Sequence, residues 1–230
     1  MPRNEVHPSE RASANAFSHA RPSSTPPGGD MLKRTALAAV TVTTATMCAV
    51  AAAAPASAAP RTVHVTSGTT EVTVAPAVTT ALLSRGIVPW VTRPGRPGLG
   101  FVDQRPTLTA TYPVTGGRLT AQPLGGTVEH RGGLKFVNVL NGRALEVRNF
   151  TIDLDTGRLT GRLAGTRTRV PVFTLDTSTA RITLGKHALD ARKVTLKLTG
   201  TAASALNTTL HTQVFTDGLT VGTADTRARF

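Results

Sequence analysis

The residues that could do chemistry in this chain are few and widely spaced. Asp153 and Asp155 lie two apart, which puts both carboxyls on one face of a regular strand. Paired carboxylates are the apparatus of glycoside hydrolysis. The competing reading is a turn over Asp155-Thr156-Gly157, with Asp at the first position accepting a backbone hydrogen bond. His130, in His130-Arg131-Gly132-Gly133, is either a hydrogen-bonded turn residue at a strand end or a neutral imidazole that can ligate or support a ligand. His64, His187 and His211 form no short-spaced pair with another His, Asp, Glu or Cys, so no metal site is expected. Ser67, Ser84, Ser178 and Ser204 occupy no Gly-x-Ser-x-Gly elbow, and no glycine loop has the phosphate-cradling pattern. No catalytic residue is assigned, and the expectation is that the protein is not an enzyme.

Binding is the chemistry that remains. Trp90 follows Pro89 and precedes Arg93-Pro94-Gly95-Arg96-Pro97-Gly98, which reads as a long exposed loop. A tryptophan beside Arg93 and Arg96 could seat a planar or anionic ligand through stacking and charge; alternatively Trp90 packs into the core and the loop is a plain connection. Tyr112 is the only tyrosine of the chain.

The elements that must position these residues read as strands. Threonine and valine dominate, and short alternating runs are broken by Gly, Pro and Asn-Gly at intervals near ten residues, the pattern of a sandwich or barrel. Thr62–Val65 and Glu71–Val74 alternate, as does Thr107–Tyr112, which is expected to end at Pro113; Arg118–Ala121 follows an expected turn at Gly116-Gly117. Asn141-Gly142 is the best hairpin turn. Over Ala144–Leu154, Leu145 and Val147 share one parity while Phe150, Ile152 and Leu154 share the other, so an extra residue is predicted at Arg148-Asn149. Further strands are expected at Arg158–Leu163, Val170–Leu175, Arg181–Leu184 and Val194–Leu198. Two short helices, Ala77–Ser84 after Pro76 and Thr201–Leu210 after a Thr199 cap, each follow a strand and align at an offset of 124 residues. They read either as equivalent corners closing the two ends of a barrel or sandwich, or as chance in an Ala/Thr-rich chain. The fold class expected is all-β, an antiparallel sandwich or barrel-like sheet with two short helices.

Before residue 59 the chain is of another kind. Met31-Leu32-Lys33-Arg34 is a short basic start, Thr35–Ala54 is uncharged, and Pro55-Ala56-Ser57-Ala58 supplies an Ala-x-Ala exit. That order is a secretory signal peptide, 31–58, with cleavage expected after Ala58. A membrane-anchoring helix is the rival, being long enough, but the run holds five threonines and is rich in alanine. Residues 1–30 are polar and rich in Ser, Pro and Gly, a disordered extension or an over-extended start. The sole cysteine, Cys48, falls in the leader, so the 172 residues 59–230 form one β-rich domain without a disulfide. The expected location is secreted, extracellular or associated with the cell wall, with no membrane span left after cleavage.

Residues 59–230 carry 21 Lys and Arg against 10 Asp and Glu, a net of +11. The excess implies attraction to an anionic partner, an anionic cell-envelope polymer or a small ligand. The basic residues are spread from Arg61 to Arg229 with only eight aromatics among them, so no nucleic-acid partner is expected.

The centre of the chain is more specific. Tyr112-Pro113-Val114-Thr115-Gly116-Gly117, then Gly125-Gly126-Thr127-Val128-Glu129-His130-Arg131-Gly132-Gly133-Leu134, then Leu145–Asp153, and later Val194-Thr195-Leu196 with Ala202–Asn207, resemble in order a group of uncharacterised secreted proteins of high-GC Gram-positive bacteria. More distantly they resemble the HtaA-type domain of secreted and surface haem-uptake proteins. That resemblance covers most of 70–226 and implies a β-rich domain that binds haem on a surface groove, with a tyrosine ligand supported by a histidine. His130 sits where the family carries a Gly-His-Gly-Gly-like segment. The family's tyrosine lies in an N-terminal aromatic motif, and the corresponding Pro89–Gly95 has none; Tyr112 lies in a different segment.

Overall fold

The computed structural model describes residues 61–230; the leader expected at 31–58, the extension at 1–30 and Cys48 lie outside the described residues. The chain forms β1 (Thr62–His64) and β2 (Ser67–Val74), turns through helix α1 (Pro76–Leu83), and returns as β3 (Ile87–Thr92) and β4 (Arg96–Val102). A 17-residue strand β5 (Arg105–Ala121) follows, then β6 (Leu124–His130), β7 (Gly133–Asn138), β8 (Arg143–Asp153) and β9 (Arg158–Leu163). Next come β10 (Arg169–Asp176), β11 (Arg181–Leu184) and β12 (Ala188–Leu198), helix α2 (Gly200–Leu210), and β13 (Thr220–Arg229).

All pairings are antiparallel. Eight strands close a ring in the order β5-β2-β13-β12-β10-β9-β8-β6, because β6 pairs with β5 on one side and β8 on the other. The sheet is therefore a barrel and not a sandwich. Closure satisfies the strand edges that an open sheet would expose. The other five strands are additions to it: β1 and β4 on β5, β11 on β12, β7 on β8, and β3 on β7. Leu119, Val128, Leu189 and Leu196 of the ring are fully buried, as are Ile87 of β3 and Leu210 of α2, each such burial stabilising by roughly 1.5–3 kcal/mol.

The alternation inside the barrel is kept by bulges. In β8 the register shifts between Arg148 and Thr151 and Asn149 takes φ 53°, so Val147, Phe150 and Ile152 are all buried. The extra residue lies where the parity change requires it. β12 repeats the device: Lys193 takes φ 55°, the Asp225 carboxylate accepts its backbone N–H at 2.8 Å, and the buried set passes from Leu189 and Ala191 to Val194, Leu196 and Leu198. This adds the stretch from Ala188 to a strand expected only from Val194.

β5 departs most from expectation. It neither ends at Pro113 nor turns at Gly116-Gly117. The Pro113 carbonyl accepts from Arg131 N, so the nitrogen without a proton faces the end of the β6 ladder and leaves the pairing with β2 intact. A bulge falls between Val114 and Gly116. Gly117 sits at φ 132°, where a Cβ would stand 2.2 Å from the Thr127 carbonyl oxygen; the glycine permits close strand approach instead of a reversal. At Asn141-Gly142 the hairpin is real but its loop spans 139–142, and only Gly142 has positive φ. Asn141 spends its side chain on Arg143 N and on the Leu210 carbonyl at the end of α2.

Both helices form as their caps dictate. Pro76 occupies the first turn of α1, and Thr199 Oγ1 accepts from Ala202 N at 3.2 Å to start α2. They do not close opposite ends. β2 and β12 both flank the start of β13, through Gly222↔Val74 and Lys197↔Thr220. The two helices therefore leave the same end of the barrel. There Val78 and Leu82 of α1 and Ala202 and Leu206 of α2 line one apolar cavity of about 100 Å³.

Candidate functional site

Around His130 the sheet divides. β6 holds the edge of β5 from Val114 to Ala121, and β4 holds the same edge from Arg105 to Thr111. β6 also holds the edge of β8 at 151–153, and β7 takes over that edge at 143–148. Beyond His130 there are thus two flaps, β4 on β5 and β3 on β7. The turn Arg93–Gly95 joins them, closed by Gly95 N donating to Thr92 O at 3.1 Å. The expected loop over 93–98 is therefore only a short turn, and Arg96 already belongs to β4. That strand continues through a two-residue reversal at Asp103-Gln104, both at positive φ (48° and 62°).

Residues 88–97 line an open cleft of about 940 Å³. Trp90 faces out of β3, opposite Lys135 of β7, and is 64% exposed; its packing into the core is excluded. Arg93 and Arg96 are exposed on the same lining. Along β4, Gly98 and Gly100 face Thr109, whose side-chain atoms would stand 2.6 Å and 2.9 Å from a Cβ at each. The opposite parity leaves Leu99 and Phe101 81% and 76% exposed. Their exposure was not legible in the sequence, because Gly-Leu-Gly-Phe carries no turn or strand signal beyond its alternation.

Tyr112 and His130 lie under this region, not in it. Both line a separate apolar cavity of about 70 Å³ inside the barrel. The Tyr112 hydroxyl donates a long hydrogen bond, 3.5 Å, to the Gly133 carbonyl, and its ring meets Phe150 edge-on at 5.4 Å. Burial raises the phenol's pKa above its ordinary value. Gly95 rests on that ring: a Cβ there would be 2.9 Å from Cε1. The backbone of the turn thus separates Tyr112 from the cleft. His130 Nε2 stands 2.7 Å from Thr70 Oγ1, which stands 2.8 Å from Thr226 Oγ1. Nδ1 makes no hydrogen bond, and the Phe150 and Val128 carbonyls lie near the ring. Desolvation pushes the imidazole down to about 4 despite those carbonyls, so the ring is neutral at pH 7.

The carboxylate pair is a turn, with the roles exchanged from expectation. Asp153 Oδ1 accepts from Asp155 N and Thr156 N, both at 3.0 Å, and Asp155 Oδ1 accepts from Gly126 N at 3.1 Å. Asp153 is half-buried and Asp155 exposed. His64, His187 and His211 are exposed and apart. Among the described residues no group of three His, Cys, Asp or Glu could hold a metal ion, and no helix is long and apolar enough to cross a membrane.

No family model and no curated protein matches the chain. Among solved structures it is similar to the C-terminal domain of HtaA from Corynebacterium glutamicum, with a TM-score of 0.52 at 15% identity, over 72% of this chain and 98% of that one. The chain shares that domain's fold. A domain-swapped dimer of a histidine-to-alanine variant of the same domain also aligns, at a TM-score of 0.42 and 14% identity, over 67% of this chain and 90% of that one. The HtaA-type resemblance drawn from the sequence is thus met at the level of architecture. Identity this low transfers no residue roles.

Proposed function

We propose that the protein is a non-catalytic ligand-binding domain, exported and released or held at the cell envelope, and that its cleft beside Trp90 takes a planar anionic ligand. The observation that carries this reading is the exposed indole of Trp90 on the same 940 Å³ cleft as the exposed Arg93 and Arg96. Exposed apolar surface rimmed by polar residues marks ligand-binding grooves. The indole face offers stacking, and Arg93 and Arg96 offer charge to carboxylates at the ligand's rim. Haem, a flat macrocycle with two propionates, is the specific version, and the HtaA-type fold supports testing it first.

Haem would lie on the surface. The interior cavities, about 100 and 70 Å³, are smaller than the roughly 150 Å³ that admits a single benzene. Tyr112 and His130 do not fit the ligating pair that the resemblance implies: one hydroxyl is committed to Gly133 and one ring is enclosed by Thr70, Val128 and Phe150. The cleft residues therefore do the binding, and the buried pair holds the floor beneath them. The test is a hemin titration of the purified protein followed by Soret absorbance. Trp90→Ala and the double variant Arg93→Gln/Arg96→Gln are expected to weaken it about tenfold or more, by loss of stacking and charge, while Tyr112→Phe leaves it unchanged. Loss on Tyr112→Phe with retention on Trp90→Ala would move the site into the barrel and end this reading.

A further inference from the structure

Scattered in sequence, Arg148, Arg162 and Arg169 become neighbours in the barrel. Arg148 of β8 stands directly across from Arg162 of β9, and Arg162 directly across from Arg169 of β10. Directly opposed residues of an antiparallel pair project to one face with Cβ atoms about 5 Å apart, and all three are exposed. Arg167, also exposed, lies in the turn between β9 and β10. One carboxylate answers them: Glu146 Oε1 takes Arg148 Nε at 2.5 Å. Arg169 donates to the Asn149 carbonyl at 3.0 Å and to the Thr151 and Thr160 hydroxyls, all uncharged. Arg162 makes no side-chain hydrogen bond or ion pair among the described residues. Asp153, farther along β8, faces Arg158 and spends an oxygen on its own turn.

Like charges directly opposed across strands destabilise a sheet, so the row costs stability in the free protein. It also builds a recognition surface: guanidinium forks match phosphate oxygens, and strands about 4.8 Å apart set the forks in a regular line. Phe150 and Phe173 beside the row are buried, and the exposed Trp90 stands two strands away across Lys135 and Glu146, so the row itself has charge without a stacking platform between its forks. We infer that the outer face of β8, β9 and β10 binds a linear phosphate polymer through its anionic groups, with no bases read. The row lies on the same side of the sheet as Trp90, two strands away through Lys135 and Glu146; the two readings differ in residues and in ligand, so each can fail without the other.

The experiment is binding of long-chain inorganic polyphosphate to the purified protein, by calorimetry across a salt series. Wild type is expected to bind with an affinity that falls steeply with salt. The triple variant Arg148→Gln/Arg162→Gln/Arg169→Gln should bind at least tenfold more weakly, with the log–log salt slope reduced by about two, by loss of counterion release. The control Arg85→Gln/Arg118→Gln/Arg181→Gln removes equal charge from other exposed positions and should change affinity less than threefold. Arg162→Glu separates recognition from structure: its carboxylate would stand between Arg148 and Arg169, so polyphosphate binding is lost while the urea midpoint rises. No binding by wild type, an equal loss in the control, or a lower urea midpoint for Arg162→Glu would overturn the inference. Tighter binding of a single-stranded oligodeoxynucleotide than of polyphosphate at equal salt would do so in favour of nucleic acid.

Discussion

His130 gives the sharpest physical prediction, because its burial makes stability depend on pH with a defined sign. In the fold the imidazole titrates at about 4, against roughly 6.5 in the unfolded chain. The folded value is the lower one, so the unfolded state binds the proton first and stability falls as pH falls. The loss begins near pH 6.5 and levels off below pH 4. Integrating that difference gives a loss of about 2 kcal/mol between pH 7 and 5, and about 3 kcal/mol by pH 4. The assay is urea unfolding followed by far-UV circular dichroism at several pH values, comparing wild type with His130→Gln. The variant keeps a polar group near Thr70 and cannot titrate. It should be less stable than wild type at pH 7, with the gap closing or reversing by about 3 kcal/mol at pH 4. Carboxylates that titrate over the same range are common to both proteins and cancel in the difference. Two stability curves running parallel from pH 7 to 4 would refute the premise that burial holds this ring neutral.

Other perturbations test the packing and the caps. Gly161→Ala places a Cβ 2.3 Å from Val147 Cγ1 and 3.0 Å from Phe150 Cδ1, opposite the β8 bulge; overpacking should cost about 1–3 kcal/mol in urea unfolding. Thr199→Ala removes the acceptor for Ala202 N and the donor to the Pro171 carbonyl, and about 1–2 kcal/mol should be lost. Leu196→Ala, at a fully buried position, should cost about 2–5 kcal/mol and leave hemin binding intact once folded.

What the sequence disclosed and what it hid follow physical lines. The Asn149 bulge was legible because Leu145 and Val147 are large, apolar and of opposite parity to Phe150 and Ile152. The Lys193 bulge was not, since Ala188 and Ala191 give the first half of β12 too weak an alternation. Caps are local chemistry, and Pro76 and Thr199 announced their helices. Pro113 and Gly116-Gly117 looked like punctuation because the register that tolerates them is set by Arg131 and Thr127, residues of another strand. The same limit applies to the candidate sites. Trp90 and its arginines are adjacent in sequence and could be named together. Burial of Tyr112 under Gly95, and the alignment of Arg148, Arg162 and Arg169, depend on pairings that no local pattern encodes. Asp103-Gln104 hid a tight reversal because neither residue is glycine or asparagine, the residues that usually mark one.

The central claim, ligand capture at the β3–β4 turn, has a built-in reporter, since Trp90 is the sole tryptophan of the chain. Titrating hemin while recording indole emission should give saturable quenching at one equivalent, shifted to higher concentration in Arg93→Gln/Arg96→Gln and unaltered in Tyr112→Phe. Emission that stays constant through saturation, or that quenches identically after both arginines are removed, would contradict it.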